Sequence, residues 1–179
     1  MNFNPSTNKL FWIDLEMTGL DPLKDKVLEI AVIITDFDFN ELESYECVIH
    51  QPEDVIANSN EWAKKTFSES GLFNRVQGSN TDENEVQRKL LLTVGKYFTE
   101  PAILAGNSIH QDRLFIRNYF PEFEKKLHYR MLDVSSFKII MQEKYGVEFK
   151  KIGSHKALDD IKESMAELRF YLEKSNVKP

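Results

Sequence analysis

Short turns join the first three strand-like segments of this chain, and these connections decide the kind of sheet that the segments can form. The segments are Leu10–Leu15, Val27–Thr35 and Glu43–Ile49, and the stretches between them, GLDPLKDK and DFDFNE, are rich in turn-forming residues. Consecutive strands joined by short turns run antiparallel, because a parallel return needs a long crossover. The chain therefore predicts a sheet that opens with three antiparallel strands.

Helical patterns separate the later strand-like segments. Ala102–Ala105 and Arg130–Val134 have strand character, and the helices between strands favour parallel pairing. The predicted helices are Glu61–Phe67, Asp82–Phe98 with Thr81 as its N-cap, a helix from about Gln111 to Pro121, Ser135–Tyr145 with Asp133 as its N-cap, and Ala157–Leu172. Gly71 and Gly78–Asn80 are expected to break the chain before the second helix. The sequence thus predicts an α/β fold, a mixed five-stranded sheet with three antiparallel leading strands and then parallel strands, flanked by helices.

The composition indicates one globular domain. With 179 residues and 41% hydrophobic content, the chain can bury about 70% of its unfolded surface in a single core. We expect one domain over residues 1–179, with residues 1–8 as a disordered leader. The leader lacks the charge and apolar core of a secretory signal, and no apolar stretch approaches the roughly 20 residues that span a bilayer. We therefore expect a cytoplasmic protein without a membrane segment.

Cys47 is the single cysteine of the chain, which excludes an intramolecular disulfide. It lies in a strand-like run between Glu46 and Val48. We expect it to be a small buried apolar residue without a chemical role.

Acidic residues occur at three separate places where strands end or helices begin. Asp14 and Glu16 are two apart on the first strand, so their side chains share one face. Two adjacent carboxylates repel each other unless a cation lies between them. Asp112 falls in the first turn of a helix that follows a strand, and Asp160 falls in the first turn of the last helix. Such a set of carboxylates suits divalent cations.

His155 adds a group that titrates near neutral pH. On a helix it would point about 140° away from Asp160, so we place it on the preceding Gly153–Ser154 loop, where it can reach a water molecule. A pKa near 6.5 suits a general base. Together with the carboxylates, this histidine favours metal-assisted cleavage of a phosphodiester.

Each of these features also has a plainer interpretation. Asp14 and Glu16 would be exposed acids at the end of a strand, and Asp112 would be an acid stabilised by the helix dipole. His155 would be an idle loop residue. Only the combination points to a nuclease.

The net charge of −6 argues against binding of long nucleic acids, because that mode needs a broad basic surface. A short substrate escapes this objection, since metal ions and one or two basic residues can hold its phosphates. The most basic stretch, Lys144–Lys156, immediately precedes Asp160, although such runs are usually solvated.

Four longer motifs extend the pattern over nearly the whole chain. They are WIDLEMTGLDP at Trp12–Pro22, GNSIHQDR at Gly106–Arg113, HYRMLDVSS at His128–Ser136 and HKALDDIKES at His155–Ser164. In this order they resemble the oligoribonuclease family of DEDDh 3′→5′ exonucleases, which have a ribonuclease H-like fold.

The resemblance implies a two-metal-ion mechanism. Asp14, Glu16, Asp112 and Asp160 would hold two Mg²⁺ or Mn²⁺ ions, and His155 would be the general base. Water would attack the terminal phosphodiester and release a nucleoside 5′-monophosphate. The implied substrates are very short single-stranded RNAs, down to dinucleotides.

The resemblance also implies residues that bind the substrate. Leu20 would separate the two bases and Trp62 would line the base pocket, whereas the plainer interpretation of both is core packing. Ser108, Arg130 and Ser135 would enclose the 5′ phosphate. His128 and Tyr129 would be contributed across a homodimer interface.

Phe67 departs from the family pattern, which tends to place a histidine at this position after the pocket tryptophan. A phenyl ring can stack or pack but cannot donate a hydrogen bond, so a polar contact to the substrate would be either missing or supplied by another residue. The stretch before His155 is also short for the family.

Two other functions are compatible with the sequence. One is a DEDDh exonuclease that trims the 3′ ends of longer DNA or RNA, and the other is a non-catalytic nucleotide-binding protein of the same fold. The HYR and SS residues predict a closed 5′ end, which argues against the first. Retention of all five reactive residues argues against the second.

Overall fold

A computed structural model describes residues 8–150 and 156–175, and these residues contain one five-stranded sheet. The strands are β1 (Lys9–Met17), β2 (Val27–Asp36), β3 (Glu41–Val48), β4 (Ala102–Gly106) and β5 (Leu127–Asp133). Their order is β3-β2-β1-β4-β5, with antiparallel pairing of β1 to β2 and β2 to β3 and parallel pairing of β1 to β4 and β4 to β5. The predicted mixed sheet is confirmed.

Helices cover both faces of the sheet. They are α1 (Glu53–Ala57), α2 (Glu61–Glu69), α3 (Leu72–Gly78), α4 (Glu83–Tyr97), α5 (Ile109–Tyr119), α6 (Pro121–Glu124), α7 (Val134–Tyr145) and α8 (Ala157–Lys174). The sequence patterns do not predict α1, α3 or α6, because each has seven residues or fewer and a 3.6-residue period cannot repeat in so short a segment. The expected breaks are confirmed at Gly71, which separates α2 from α3, and at Ser79 and Asn80, which follow α3, whereas Gly78 is the last residue of α3. Gly71 adopts a left-handed conformation with φ of 74° and begins α3.

Two helix caps were predicted, and the structure confirms one of them. The Asp133 side chain accepts a hydrogen bond from the Ser135 amide at the start of α7, as expected. For α4 the predicted N-cap Thr81 is wrong, since the Asp82 side chain accepts from the Glu85 amide. Aspartate and threonine are both preferred N-cap residues, so residue type alone did not exclude either neighbour.

The side chains of β1 alternate between two cores. Phe11 and Ile13 pack with α4, α5 and α6 on one face of the sheet, whereas Leu10 and Trp12 pack with α7 and α8 on the other. Asp14 and Glu16 continue the second series, so the alternation directs both carboxylates towards α8. A smaller cluster of α2 and α3 packs against Leu28 at the start of β2.

Cys47 is half-buried on β3, with its Sγ atom 3.5 Å from the Lys89 ammonium, so the expectation of a buried apolar residue is confirmed only in part. Among the described helices, none is long and apolar enough to cross a membrane. Residues 1–7 of the expected leader lie outside the described residues, and the single domain over residues 1–179 stays a prediction.

Candidate active site

Three carboxylates from two distant parts of the chain meet at the end of β1. Asp14 and Glu16 lie on the α8 face of this strand, and Asp160 lies in the first turn of α8. One ligand atom from each of the three lies within 4.8 Å of the others. The structure thus brings together three of the four carboxylates that the sequence selects, over a span suited to a divalent cation with oxygen ligands.

Asp112 contacts the same strand from α5, the helix that follows β4. It lies in the first turn of α5, is 6% exposed, and its Oδ1 atom accepts a hydrogen bond of 2.9 Å from the Leu15 amide. Leu15 separates Asp14 from Glu16, so this contact fixes the fourth carboxylate beside the cluster. The predicted position of Asp112 in a first helical turn is confirmed.

The buried carboxylates hold protons strongly when no cation is bound. Burial raises the pKa of Glu16 to about 8, and the charges of Asp160, Glu29 and Asp112 add to the effect. Burial also raises the pKa of Asp112 to about 7, although the Leu15 amide opposes it. A divalent cation favours the ionised forms of these acids, so the donor set fits Mg²⁺ or Mn²⁺.

Glu29 is a buried acid near the cluster that the sequence reasoning missed. It pairs with Glu16 across β1 and β2, is 1% exposed, and forms an ion pair with Arg75 of α3. The available signal was a single charged residue inside the apolar run VLEIAVIIT, because a lone acid in a fully buried strand needs a partner.

A pocket of about 340 Å³ opens beside Glu16, and both predicted base-binding residues line it. Leu20 is 69% exposed and Trp62 is 55% exposed, so core packing does not explain either side chain. Phe67 is fully buried and meets the Trp62 ring edge-on at 5.6 Å between centroids. In this chain Phe67 therefore supports the tryptophan through packing.

Asp25 organises the turn that presents Leu20, which follows β1. Its carboxylate accepts hydrogen bonds from the Thr18 hydroxyl at 3.0 Å and from the Asp21 amide at 2.9 Å. Gly19 lies so close to this carboxylate that a Cβ atom there would collide with it. The turn is thus closed by polar contacts, and its exposed apolar tip projects beside the pocket.

Ser108 and Ser135 form a polar pair at the ends of two parallel strands, β4 and β5. The Ser108 amide donates to Ser135 Oγ at 2.7 Å and to Asp133 Oδ1 at 3.0 Å, and the two hydroxyl oxygens lie 3.0 Å apart. Ser108 adopts a left-handed conformation with φ of 53°. The structure brings these two predicted residues together at an edge of the sheet where ligands bind in many α/β folds.

The HYR segment lies on the edge strand β5. Tyr129 is 68% exposed, and the Arg130 guanidinium carbon lies 5.3 Å from its ring centroid. His128 accepts a hydrogen bond from the Arg130 amide at 3.1 Å. His155, the predicted base, lies outside the described residues, directly before Lys156 at the N-cap of α8.

Comparisons with known proteins agree in the family that they indicate. The family model RNase_T, described as exonuclease, matches residues 11–168. The chain is 47% identical over 174 residues to the oligoribonuclease of Francisella tularensis subsp. tularensis, covering 94% of this chain and 97% of that protein. It is 44% identical over 171 residues to the oligoribonuclease of Neisseria meningitidis, covering 93% and 91% of the two chains.

Solved structures of exonuclease I share the fold. The enzyme from Methylocaldum szegediense superposes with a TM-score of 0.66 at 18% identity, over 89% of this chain and 40% of that one. The zinc-bound form of an E. coli complex with single-stranded DNA gives 0.70 at 14% identity, over 95% and 41%. This chain thus spans about two fifths of the length of these neighbours, and the expected ribonuclease H-like fold is confirmed.

Proposed function

The chain belongs to the oligoribonuclease family of 3′→5′ exoribonucleases, and on that basis we propose that Asp14, Glu16, Asp112 and Asp160 bind two divalent cations. The observation that supports the proposal most directly is that ligand atoms of Asp14, Glu16 and Asp160 lie within 4.8 Å of one another. When bound, Mg²⁺ or Mn²⁺ would acidify the attacking water and neutralise charge on the leaving oxygen.

The hydrolysis step also needs a general base. His155 removes a proton from the attacking water, since an imidazole with a pKa near 6.5 is neutral often enough at pH 7 to act as a base. The water oxygen bonds to the terminal phosphorus, the bond from phosphorus to the preceding 3′ oxygen breaks, and that oxygen takes up a proton to become a 3′ hydroxyl. The products are a nucleoside 5′-monophosphate and an RNA shorter by one residue, which is a nucleoside or nucleotide when the substrate is a dinucleotide.

The pocket beside Glu16 supports binding of the 3′-terminal base. It offers the mainly apolar walls of Leu20, Trp62 and Met17 within reach of the carboxylate cluster. Leu20 enters between the two terminal bases, and Trp62 lies against one of them, since both side chains are exposed at the pocket.

The 5′ phosphate is bound by Ser108, Ser135 and Arg130, which limits the substrate to very short single-stranded RNA. The pairing of Ser108 with Ser135 supports this role, because two hydroxyls and a guanidinium suffice for one phosphate. His128 and Tyr129 act across a homodimer interface. The exposure of Tyr129, Ile139 and Ile140 at 68%, 62% and 54% supports such an interface, because apolar side chains gain by burial against a second copy. The cytoplasmic location stays a prediction.

Initial rates on 5′-labelled RNAs of two, seven and 20 residues test the substrate class. We expect the dinucleotide to be cleaved fastest, because only a short chain places its 3′ end at the carboxylates and its 5′ phosphate at the serine pair. Equal or faster cleavage of the 20-mer would contradict the closed 5′ end and favour an exonuclease of longer chains.

A further inference from the structure

Three consecutive residues of α5 each hold a different part of the site. Gln111 Nε2 donates a hydrogen bond of 2.7 Å to the Leu20 carbonyl oxygen. Asp112 accepts from the Leu15 amide at 2.9 Å. Arg113 Nη1 donates to the His128 carbonyl at 2.8 Å and to the Tyr129 carbonyl at 3.3 Å.

We propose that Gln111 and Arg113 are positioning residues that fix Leu20 and the His128–Arg130 segment at set distances from the carboxylate cluster, so that α5 measures substrate length. The proposal rests on the proposed function, in which Leu20 separates the bases and Arg130 binds the 5′ phosphate. Successive residues of a helix point about 100° apart, so three in a row reach three neighbouring elements from one rigid body.

The Leu20 turn is attached to α5 by three hydrogen bonds. Asn118 Nδ2 donates to the Pro22 carbonyl at 2.7 Å and the Tyr119 hydroxyl donates to the Asp25 carbonyl at 2.6 Å, whereas Gln111 bonds Leu20 itself. The Asp25 side chain orders the turn internally, whereas its backbone carbonyl is the group that contacts the helix. Gln111 is thus the contact that most directly fixes the exposed tip.

Arg113 is oriented so that its Nη1 atom bonds the backbone of β5. Its Nε and Nη2 atoms donate to Glu124 Oε1 at 3.2 and 3.1 Å, which leaves Nη1 for the two carbonyls. The Arg113 side chain is 12% exposed and that of Glu124 is 17% exposed, so the ion pair is partly shielded. Because the contacts are made to the backbone, they fix the position of the segment while Tyr129 and Arg130 keep their side chains exposed.

A double-mutant cycle tests the Gln111 half of the proposal. Gln111→Met keeps the volume and removes the donor, and we expect it to lower kcat/KM on a dinucleotide about three- to tenfold, the usual worth of one hydrogen bond. Combined with Leu20→Ala, it should cause no further loss, because Gln111 acts through Leu20. Mn²⁺ affinity should match that of the parent protein.

Other results of the cycle would overturn this half. Additive losses would mean that Gln111 acts independently of Leu20, and a weaker Mn²⁺ affinity would mean that it acts through Asp112. A Leu20→Ala variant with unchanged turnover would instead remove the base-separating role on which the proposal rests.

Asn118→Leu is the matched control, since it also removes an amide donor to the same turn. It should lower kcat/KM less than about twofold, because it bonds Pro22 and not the tip, and an equal loss would overturn the assignment to Gln111.

Substrate length tests the Arg113 half. Arg113→Lys keeps the positive charge beside Glu124 but loses the planar guanidinium that bonds both Glu124 and the β5 carbonyls. We expect the ratio of the dinucleotide rate to the heptamer rate to fall about tenfold, which is the order of magnitude of one hydrogen bond. Arg117→Lys is the matched control, since Arg117 lies 3.7 Å from the same Glu124 oxygen but is 67% exposed. Its ratio should equal that of the parent.

An unchanged ratio in Arg113→Lys, with both rates lowered equally, would overturn this half. Should that variant show no cooperative unfolding transition, Glu124→Gln provides a second test, since it weakens the pair that orients Arg113 and retains both side chains. It should shift the ratio in the same direction, and an unchanged ratio would overturn the proposal. If the parent protein itself prefers the 20-mer, the proposed substrate class is wrong. If the parent prefers the dinucleotide but the variants do not change the ratio, only the positioning role of Gln111 and Arg113 is wrong.

Discussion

The backbone amide of Leu15 donates a 2.9 Å hydrogen bond to Asp112 Oδ1, although the two residues are 97 positions apart in the chain. This contact joins the central strand to the first turn of α5. It gives Asp112 two separable roles, as an anchor for β1 and as a carboxylate beside Asp14 and Glu16. Substitutions at Asp112 can therefore separate folding from the proposed metal binding.

Asp112→Asn should abolish catalysis while keeping the fold. Its amide oxygen can still accept from Leu15, but the negative charge is lost, so we expect kcat to fall by at least about a hundredfold. Asp112→Ala should lose activity equally and also lose about 1–3 kcal/mol of unfolding free energy, because the Leu15 amide is left unpaired. Urea unfolding and dinucleotide hydrolysis measure the two effects. Unchanged hydrolysis by Asp112→Asn would show that Asp112 is not a metal ligand.

The metal-free protein should become less stable as the pH rises. Burial raises the pKa of Glu16 to about 8, above its ordinary 4.5, so the folded state keeps a proton that the unfolded chain has released. The contribution of Glu16 to the free energy of unfolding should then be complete below about pH 4.5 and should decline up to about pH 8. Asp112 adds the same trend up to about pH 7. Urea unfolding in EDTA measures this slope.

Two controls accompany the pH series. Added Mn²⁺ should remove most of the decline, because the cation favours the ionised carboxylates and binds more tightly as the pH rises. Glu16→Gln should flatten the slope in EDTA, since it removes the titrating group. An equal slope in Glu16→Gln and the parent protein would contradict the assignment to Glu16.

Gly19→Ala should disturb the turn that presents Leu20. The new Cβ atom would collide with the Asp25 carboxylate, and we expect a loss of about 1–3 kcal/mol in unfolding free energy together with slower dinucleotide cleavage. Gly95→Ala is the control, because a Cβ atom at this position in α4 meets nothing within 4 Å. It should stabilise the protein by about 0.5–1 kcal/mol. Equal stability changes in the two variants would contradict the packing argument.

Ile140→Glu should weaken the proposed homodimer. Ile140 is 54% exposed on α7, and an unpaired carboxylate in an apolar interface costs several kcal/mol, or at least about a hundredfold in dissociation constant. Dinucleotide turnover should fall at concentrations where the variant is monomeric, since Tyr129 would act across the interface. Sedimentation equilibrium gives the oligomeric state.

Leu92→Glu is the control for that experiment. Leu92 is 70% exposed on α4, so it introduces the same charge at another exposed apolar position. It should keep the parent's oligomeric state and activity. A monomeric parent protein, or identical behaviour of the two variants, would contradict an interface at α7.

Local features of the fold were predictable because they depend on residues close together in the chain. The turns GLDPLKDK and DFDFNE fixed the antiparallel opening of the sheet, and the alternation of β1 placed Asp14 and Glu16 on one face. The capping role of Asp133 was also readable, because it involves Ser135 only two residues away. Helices α1, α3 and α6 escaped prediction because they are too short to show a period.

The site residues show the same division between local and distant information. The helix position selected Asp160 and motif resemblance selected Trp62, but neither gave the 4.8 Å cluster or revealed that Phe67 lies buried beneath the tryptophan. The pairing of Glu29 with Arg75 also had no signal beyond one acid in an apolar strand.

The sequence by itself determined the strand pattern, the turn chemistry and the choice of carboxylates, since each follows from residue types at fixed local spacing. Only the tertiary structure decided that Gln111 bonds Leu20 and that Asp112 bonds Leu15, across 91 and 97 positions. Separation along a chain sets no distance in space. The packing of α5 and α8 against β1 sets it, through many contacts that no single segment encodes.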